Sequence, residues 1–357
     1  MRIVVFGLAV SSSWGNGHAA LWRGLIRALH QEGHYVTFFE RDVPYYAEHR
    51  DLTELPGGQL VLYRNWDSAR ARRAADNSDV AIVTSYCPDA RVATDVIVES
   101  RTGLRCFYDL DSAVTLSRLS AGEAVDYIPA DGFVRFDLVL SYTGGGTLDA
   151  LRAQLGAPRV TPLYGWVDPD VHRPGAPEPH YRGTLSYLGT YAPDRQPVLD
   201  RLFLEPARQR PDERFVLAGA MYPPDFPWTR NLYFLQHLLP AQHANFYASS
   251  RLTLNVTRGA MAAAGWCPSG RLFEAAACGV PLLSDTWPGL EDFYTPGSEI
   301  LVAHDTDDAL AAIDLPDAEL AAIARRARER TLDEHTAARR VRTLMAALDD
   351  AMTRVAR

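Results

Sequence analysis

The sequence contains no lysine, so all 36 of its basic residues are arginines. This absence excludes enzymes that form a Schiff base through a lysine, including those that use pyridoxal phosphate. It also excludes the Walker P-loop, whose lysine reaches the nucleotide phosphates. Any phosphate site must therefore use arginine, backbone N–H groups and hydroxyls. Arginine suits this task because its planar guanidinium can donate two parallel hydrogen bonds to one anion.

Cysteine is scarce, and the sequence has neither an excess of basic charge nor a long apolar run. The four cysteines (Cys87, Cys106, Cys267 and Cys278) form no C-x-x-C pair and no zinc spacing, which favours reduced, buried thiols. The net charge of −8 offers no basic footprint for nucleic acid. No apolar run approaches the roughly 20 residues that span a bilayer, and no signal peptide precedes the first strand. We therefore expect a cytoplasmic protein with no transmembrane segment.

Apolar strand runs alternate with amphipathic helices, which predicts an α/β fold of two doubly wound parallel sheets. Strands are expected at 3–7, 35–39, 59–63, 80–84, 104–108, 138–141 and 159–162, with a helix at 19–32. After a proline-rich linker at 165–183, strands are expected at 185–189, 215–218, 251–255, 280–284 and 300–303, and helices at 196–207, 271–278, 307–313, 318–330 and 335–355. We expect a cleft between two Rossmann-like domains to bind the ligand, beyond the carboxyl ends of the strands.

The segment from Pro268 to Asp285 carries the strongest functional signal. Ser269 and Gly270 precede a short helix that contains Arg271 and Glu274. The loop N–H groups and the helix N-terminus can bind a phosphate, with the hydroxyl and the guanidinium beside them. A carboxylate one turn further on suits a ribose diol, so the pattern indicates a nucleoside diphosphate. An ordinary α/β helix with a surface glutamate is the alternative.

A second segment follows the strand that ends at Gly189. Thr190 and Arg195 are expected to face the cleft near Tyr191, or to belong to a capped turn with a solvated arginine. The nucleobase is expected near a strand-end loop that contains Gly219 and Met221 and near the turn at 239–243. We expect His243 to be a surface residue at a helix N-terminus rather than a base contact.

Two N-terminal segments are candidates for the acceptor side. The loop after the first strand contains Trp14, Gly15, Asn16 and Gly17 before His18, which could act as a base, bind phosphate or simply start the helix.

Asp109 and Asp111 end a later strand and could bind acceptor hydroxyls, serve as a base or hold a metal. Asp111 could instead cap the next helix. Thr143 lies in a further strand-to-helix turn that is rich in donors.

Together these segments resemble the GT-B glycosyltransferases, and more narrowly the CgeB-like (spore-maturation-type) group. The resemblance rests on FYDLDS (107–112), SYTGG (141–145), YLGTYAPDR (187–195), LNVTR (254–258) and RLFEAAACG (271–279). It implies an N-terminal acceptor domain at 1–165, a nucleotide-sugar domain at 166–334, and a last helix at about 335–357 that crosses back to the first domain. It also implies no obligatory metal.

Individual residues take roles from this resemblance. Glu274 matches the ribose-binding glutamate of the related GT4-like group, and Arg195 matches a diphosphate-binding lysine. Thr190 replaces a common arginine, and we expect Arg258 or Arg271 to compensate for it. Trp266 replaces a second glutamate that touches the donor sugar.

The family's His-Asp pair is replaced by Tyr108 and Asp109, so Asp109, Asp111 and His18 compete for the role of base.

The sequence thus predicts a metal-independent glycosyltransferase without cofactor, which moves a sugar from a UDP- or dTDP-sugar to an unidentified hydroxyl acceptor. A GT-B nucleotide-sugar epimerase and a non-catalytic nucleotide-sugar binding protein are the alternatives.

Overall fold

The computed structural model describes residues 1–355, which form two compact units. The first unit contains Met1–Tyr164 together with the segment from Ala337 onward, and the second contains Gly165–Thr336. The chain therefore passes from one unit to the other near Tyr164 and again near Thr336. In the second unit these passages run side by side, because the Val167 amide donates to the His335 carbonyl oxygen at 2.9 Å.

All strand pairs of both sheets are parallel, and the buried strands are rich in branched apolar residues. The first unit has strand order β3-β2-β1-β4-β5-β6-β7, and the second has β10-β9-β8-β11-β12-β13. The strands are β1 (Arg2–Gly7), β2 (Tyr35–Arg41), β3 (Gly58–Tyr63), β4 (Val80–Thr84), β5 (Leu104–Asp109), β6 (Leu138–Ser141), β7 (Val160–Pro162), β8 (Gly183–Leu188), β9 (Phe215–Ala218), β10 (Leu232–Leu235), β11 (Ser250–Asn255), β12 (Leu282–Ser284) and β13 (Leu301–Val302).

Helices connect the strands. They are α1 (Gly17–Gln31), α2 (Pro44–Ala47), α3 (Ser68–Asp76), α4 (Ala90–Glu99), α5 (Ser112–Ser120), α6 (Thr147–Leu155), α7 (Gln196–Leu199), α8 (Glu205–Gln209), α9 (Pro240–Ala248), α10 (Gly259–Ala264), α11 (Gly270–Cys278), α12 (Thr306–Ile313), α13 (Asp317–Glu334) and α14 (Ala337–Val355). This arrangement confirms the α/β fold with two Rossmann-like sheets.

The helix expected at 196–207 is interrupted. A π-helical turn at Asp200–Leu204 separates α7 from α8. Pro206 lies in the first turn of α8 and has no N–H for the carbonyl four residues earlier, so the regular hydrogen-bond ladder cannot continue there. Strand β10 was not expected from the sequence, whereas α9 begins just before His243, where a helix N-terminus was expected. Strand β10 is a short, largely exposed edge strand without a continuous buried run, so its pattern is weak.

The last helix begins at Ala337 rather than at 335, because His335 caps the end of α13. The last two residues of the segment expected at 335–357 lie outside the described residues. The buried residues of α14 include Val341, Leu344 and Leu348, whose spacing places them on one face of the helix. Helix α14 packs against α1 and belongs to the first unit.

All four cysteines are buried and have free thiols, as the sequence predicts. Among the described residues, no helix is both long and apolar enough to cross a bilayer.

The packing of α14 predicts that Leu348→Ala destabilises the first unit. Leu348 is fully buried, so loss of its side chain leaves a cavity that costs about 3 kcal/mol of unfolding free energy. Urea unfolding combined with hydrogen exchange of the α1 amides measures this change. Val355→Ala is the control on the same helix, because Val355 is 46% exposed. Equal protection of α1 in both variants would contradict the packing role of α14.

Candidate active site

The loop after β1 is held by a buried carboxylate at the end of β2. Glu40 accepts hydrogen bonds from the amides of Val10 and Ser11, at 2.7 and 2.9 Å. The Ser11 hydroxyl donates to the same carboxylate at 2.5 Å. These contacts fix the path of the chain that leads to α1 at the carboxyl edge of the first sheet, where its parallel strands end.

The residues before α1 position His18. Asn16 is the helix N-cap, and its side chain accepts a hydrogen bond from the His18 amide at 3.1 Å. Gly15 has φ +59°, which permits the turn before the cap. Trp14 stacks on His49 with a ring separation of 4.2 Å, and Gly17 is the first residue of α1.

The structure pairs two of the three candidate bases. His18 Nε2 lies 3.0 Å from Asp111 Oδ2, which also accepts a hydrogen bond from the Ser85 hydroxyl at 2.8 Å. Asp111 is the N-cap residue of α5, as the capping alternative expects, but its side chain makes no capping hydrogen bond and pairs with His18 instead. The side chains of His18 and Asp111 are 13% and 23% exposed, which leaves the pair accessible. Because His18 Nε2 faces Asp111 and His18 Nδ1 is buried without a partner among the described residues, the Asp111 carboxylate is the member of the pair that is placed to take a proton.

Asp109 is fully buried behind this pair. Its Oδ1 accepts hydrogen bonds from the Asp111 amide at 2.9 Å and the Thr115 hydroxyl at 3.1 Å. Burial and the neighbouring Asp111 raise the pKa of Asp109 to about 7. The two aspartates therefore have different environments, and Asp109 is a structural carboxyl rather than a solvent-facing one.

The loops that follow β4 and β6 also lie at the carboxyl edge of the first sheet. Tyr86, just after β4, has φ +57°, a conformation that is strained for an aromatic residue, and its ring lies 6.3 Å from that of His18. Nothing in the sequence pattern marked Tyr86 or Ser85. Thr143, after β6, is buried, and its carbonyl accepts a hydrogen bond from the Ser141 hydroxyl at 2.7 Å.

In the second unit, Arg195 lies in the loop after β8. It is 8% exposed, so the expectation of a solvated arginine in a capped turn is wrong. Its Nη1 donates to the Thr190 carbonyl at 3.0 Å, whereas its buried Nε has no partner among the described residues. Burial lowers the pKa of Arg195; Tyr187 opposes this change, and Arg271 and Arg258 reinforce it. The guanidiniums of Arg271 and Arg258 thus disfavour the charged form of Arg195, whereas the Asp194 carboxylate, which pairs with Arg258, favours it.

Close backbone contacts shape the neighbouring strand ends. Gly219 has φ +151°, and a Cβ there would lie 1.9 Å from the Gly189 carbonyl oxygen, so only glycine fits. The Tyr222 hydroxyl donates to that same oxygen at 3.0 Å. The Tyr191 amide donates to the Ala220 carbonyl at 2.9 Å. Met221 has φ +67° and is 67% exposed, so an apolar side chain stands in solvent beside this loop.

Helix α11 begins at Gly270, one residue before the start that the sequence predicts. Ser269 is its buried N-cap residue and Gly270 its first residue. The Ser269 side chain makes no capping hydrogen bond, so the first-turn N–H groups are not satisfied by it. Arg271 follows in the first turn. Arg258 is paired with Asp194 at 3.4 Å, and the same carboxylate accepts from the Gly259 amide at 2.9 Å.

Glu274 lies among histidines rather than on the surface. Its Oε2 is 3.7 Å from His243 Nδ1 and 4.0 Å from His172 Nε2. Burial acts to raise the pKa of Glu274, but His172, His243 and Arg271 outweigh it and hold the pKa below its usual range. His243 is buried, so the expectation of a surface histidine is wrong. His172 comes from the proline-rich segment, where nothing in the sequence suggested a site.

Trp266, the residue that takes the place of a second acidic group, has φ +43°. Its indole Nε1 donates to Asp292 at 2.6 Å, and its ring covers Gly289, where a Cβ would lie 2.6 Å from the ring. The tryptophan is therefore fixed against the loop that follows β12.

Comparison with known proteins is consistent with this architecture. Residues 195–346 match a family model described as glycosyl transferase-like. No curated protein matches the chain significantly.

Several solved structures match the chain over nearly its whole length. Sucrose-phosphate synthase from Thermosynechococcus elongatus has a TM-score of 0.70 at 14% identity, covering 98% of this chain and 99% of its own. HepE from Anabaena, solved with UDP-glucose, has a TM-score of 0.68 at 14% identity, with 98% and 100% covered. AviGT4, a glycosyltransferase involved in avilamycin A biosynthesis, has a TM-score of 0.61 at 14% identity, with 99% and 98% covered. The chain has the GT-B glycosyltransferase fold.

The buried Asp109 predicts a pH-dependent stability difference. Because its folded-state pKa of about 7 lies above the ordinary aspartate pKa of 3.8, the folded chain retains a proton that the unfolded chain loses. The retained proton therefore stabilises the folded chain at low pH, and this stabilisation is lost as the pH rises from the unfolded-state pKa through the folded-state pKa of Asp109. The free energy of unfolding of Asp109→Asn, relative to the wild type, should rise by about 2 kcal/mol between pH 5 and pH 8.

Hydrogen exchange of the β5 amides, compared between variant and wild type at each pH, measures this difference. Asp126→Asn is the control, because it removes an exposed carboxylate of the same unit and should change stability by no more than about 0.5 kcal/mol. A difference between Asp109→Asn and the wild type that stays constant with pH would rule out the raised pKa.

Proposed function

We propose that this protein is a glycosyltransferase that transfers a sugar from a nucleotide-diphospho-sugar to a hydroxyl acceptor. The cluster of Arg195, Arg258 and Arg271 beside the N-terminus of α11 carries this proposal. A buried guanidinium whose Nε has no partner among the described residues, with two further guanidiniums nearby, is costly unless an anion occupies the site. A diphosphate supplies that anion, and the first-turn N–H groups of α11 add donors for it.

From this arginine cluster, the donor nucleotide would extend along α11 and the loops that follow β8 and β9 in the second unit. Glu274 lies one turn along α11 and remains ionised, which allows it to accept hydrogen bonds from the two ribose hydroxyls. Thr190 and Tyr191 lie in the loop after β8 that also contains Arg195. The exposed Met221, in the loop after β9, supplies an apolar surface for the nucleobase.

Sugar transfer requires stabilisation of the diphosphate leaving group and removal of a proton from the acceptor hydroxyl. As the bond from the sugar to the diphosphate breaks, negative charge develops on the phosphate oxygens, and the guanidiniums stabilise it. The acceptor hydroxyl loses its proton to the His18–Asp111 pair. Asp111 is the more exposed member, and Ser85 and His18 hold its carboxylate in place. Asp109 takes no proton from the acceptor in this scheme, because it is fully buried.

The finer assignments follow from the resemblance of the sequence motifs. We place the chain in the CgeB-like group and propose a bacterial, cytoplasmic enzyme that uses a UDP- or dTDP-hexose. HepE was solved with UDP-glucose, which supports a uridine donor. The acceptor would be a small molecule, a glycan or a cell-envelope precursor. The transfer step needs no metal at the diphosphate and no cofactor, since arginines neutralise the charge.

Arg195→Met tests the diphosphate site. The variant keeps a long apolar side chain but removes the guanidinium, so we expect UDP affinity to fall at least about tenfold, which corresponds to about 1.4 kcal/mol. Uridine lacks phosphates, so its affinity should stay within about twofold. Isothermal titration calorimetry with UDP and uridine measures both.

Arg201→Gln is the matched control, because Arg201 is an exposed arginine of the same unit. It should leave UDP affinity unchanged. Equal losses of UDP and uridine affinity in Arg195→Met would show that the residue shapes the pocket without binding phosphate, and an unchanged UDP affinity would refute the site.

His18→Gln and Asp111→Asn test the proposed base. Each should lower kcat by at least about 100-fold, since general-base catalysis contributes roughly that much. The affinity for UDP should remain unchanged, because both residues belong to the first unit. His30→Gln, which alters an exposed residue of the same helix, is the control. Sugar transfer by either variant at the wild-type rate would contradict this role.

The reaction itself is tested by incubating the protein with UDP- and dTDP-hexoses and a panel of hydroxyl acceptors. Mass spectrometry should detect a glycosylated acceptor and a released nucleoside diphosphate. NMR of the donor alone would reveal an epimer if the protein were an epimerase. Tight UDP binding without turnover of any acceptor would favour a binding protein instead.

A further inference from the structure

Three metal-ligating side chains converge in the second unit. His172 Nε2 lies 3.1 Å from His243 Nδ1, and Glu274 Oε2 lies 3.7 Å from His243 Nδ1 and 4.0 Å from His172 Nε2. One ligand atom from each residue thus falls within 4.8 Å of the other two. None of the hydrogen bonds among the described residues uses the Glu274 carboxylate, so this carboxylate faces the two imidazoles without a direct donor.

We propose that His172, His243 and Glu274 form a binding site for a divalent cation of the zinc type. The three separations allow one ion to lie about 2.1 Å from each atom, which matches the length of a zinc–nitrogen or zinc–carboxylate bond. Two imidazoles and one carboxylate are a ligand set that zinc uses in proteins, with a water molecule in the fourth position.

The three ligands come from separate and well-fixed parts of the chain. The His172 amide donates to the Asp168 carbonyl at 2.9 Å in a tight turn. His243 lies on α9 and Glu274 on α11, and these two helices pack against each other. Because the fold already fixes these ligand atoms, little conformational entropy is lost when the ion binds.

The charge at the site suits a cation. Glu274 is an anion in a largely buried position, with a side chain that is 14% exposed.

The site shares Glu274 with the ribose position of the proposed donor pocket. No step of the proposed sugar transfer depends on the cation. If both assignments hold, zinc and the donor nucleotide should hinder each other, because they use the same carboxylate. This competition rests on the proposed function, whereas binding of the metal alone does not.

The test is a titration of chelator-treated protein, free of nucleotide, with CoCl2 and then ZnCl2. We expect one Co²⁺ per chain with visible absorption bands typical of low coordination, which zinc should abolish by displacement. His243→Gln and Glu274→Gln should each weaken zinc binding at least about tenfold, since each removes one of three ligands. Circular dichroism and thermal melting establish that each variant is folded.

His304→Gln is the matched control. His304 Nδ1 lies 3.2 Å from Asp308 in an exposed histidine–carboxylate pair, so this variant removes a histidine beside a carboxylate without touching the site. It should bind zinc as the wild type does. No cobalt or zinc binding by the wild type, or unchanged affinity in folded His243→Gln and Glu274→Gln, would overturn the proposal.

Repeating the zinc titration with saturating UDP separates this proposal from the proposed function. A weaker apparent zinc affinity supports both the metal site and the ribose role of Glu274. Zinc binding that UDP leaves unchanged supports the metal site and refutes the ribose role. UDP binding to a protein that binds no zinc supports the donor pocket and refutes the metal site.

Discussion

The unsatisfied charge of the buried Arg195, which the guanidiniums of Arg258 and Arg271 repel, is the constraint on which the proposed function depends. Arg195 is buried, and among the described residues it makes no ion pair with a carboxylate. The positive charges of Arg271 and Arg258 disfavour the charged form of Arg195. Such an arrangement costs stability unless an anion completes it. Because the chain has no lysine, this cluster and the N–H groups of α11 must bind any phosphate at this place.

Parallel topology explains why the candidate residues gather at strand ends. In each unit all strands run the same way, so the loops that follow them meet at one edge. His18, Asp111 and Thr143 follow β1, β5 and β6 in the first unit, whereas Arg195 follows β8 in the second. Two strained residues, Tyr86 and Met221, occur in loops of the same kind, which is where folded proteins tolerate strain for function.

Most strands were predicted from the sequence, because a buried parallel strand is a short continuous apolar run. The run at 80–84, for example, matches β4 residue for residue. It failed where packing decides the outcome. The burial of His243 depends on how α9 meets α11, and the pairing of His18 with Asp111 joins residues far apart in the chain. His172 stands in a proline-rich segment whose pattern indicates only irregular structure. Composition and periodicity contain no signal for such contacts.

A crystal structure of the protein with UDP tests the central claim most directly. The account predicts that the β-phosphate lies within hydrogen-bonding distance of Arg195 and the first-turn amides of α11, with the ribose hydroxyls beside Glu274. Density for UDP at any other place in the second unit, with the guanidinium cluster and α11 left without a phosphate, would contradict it.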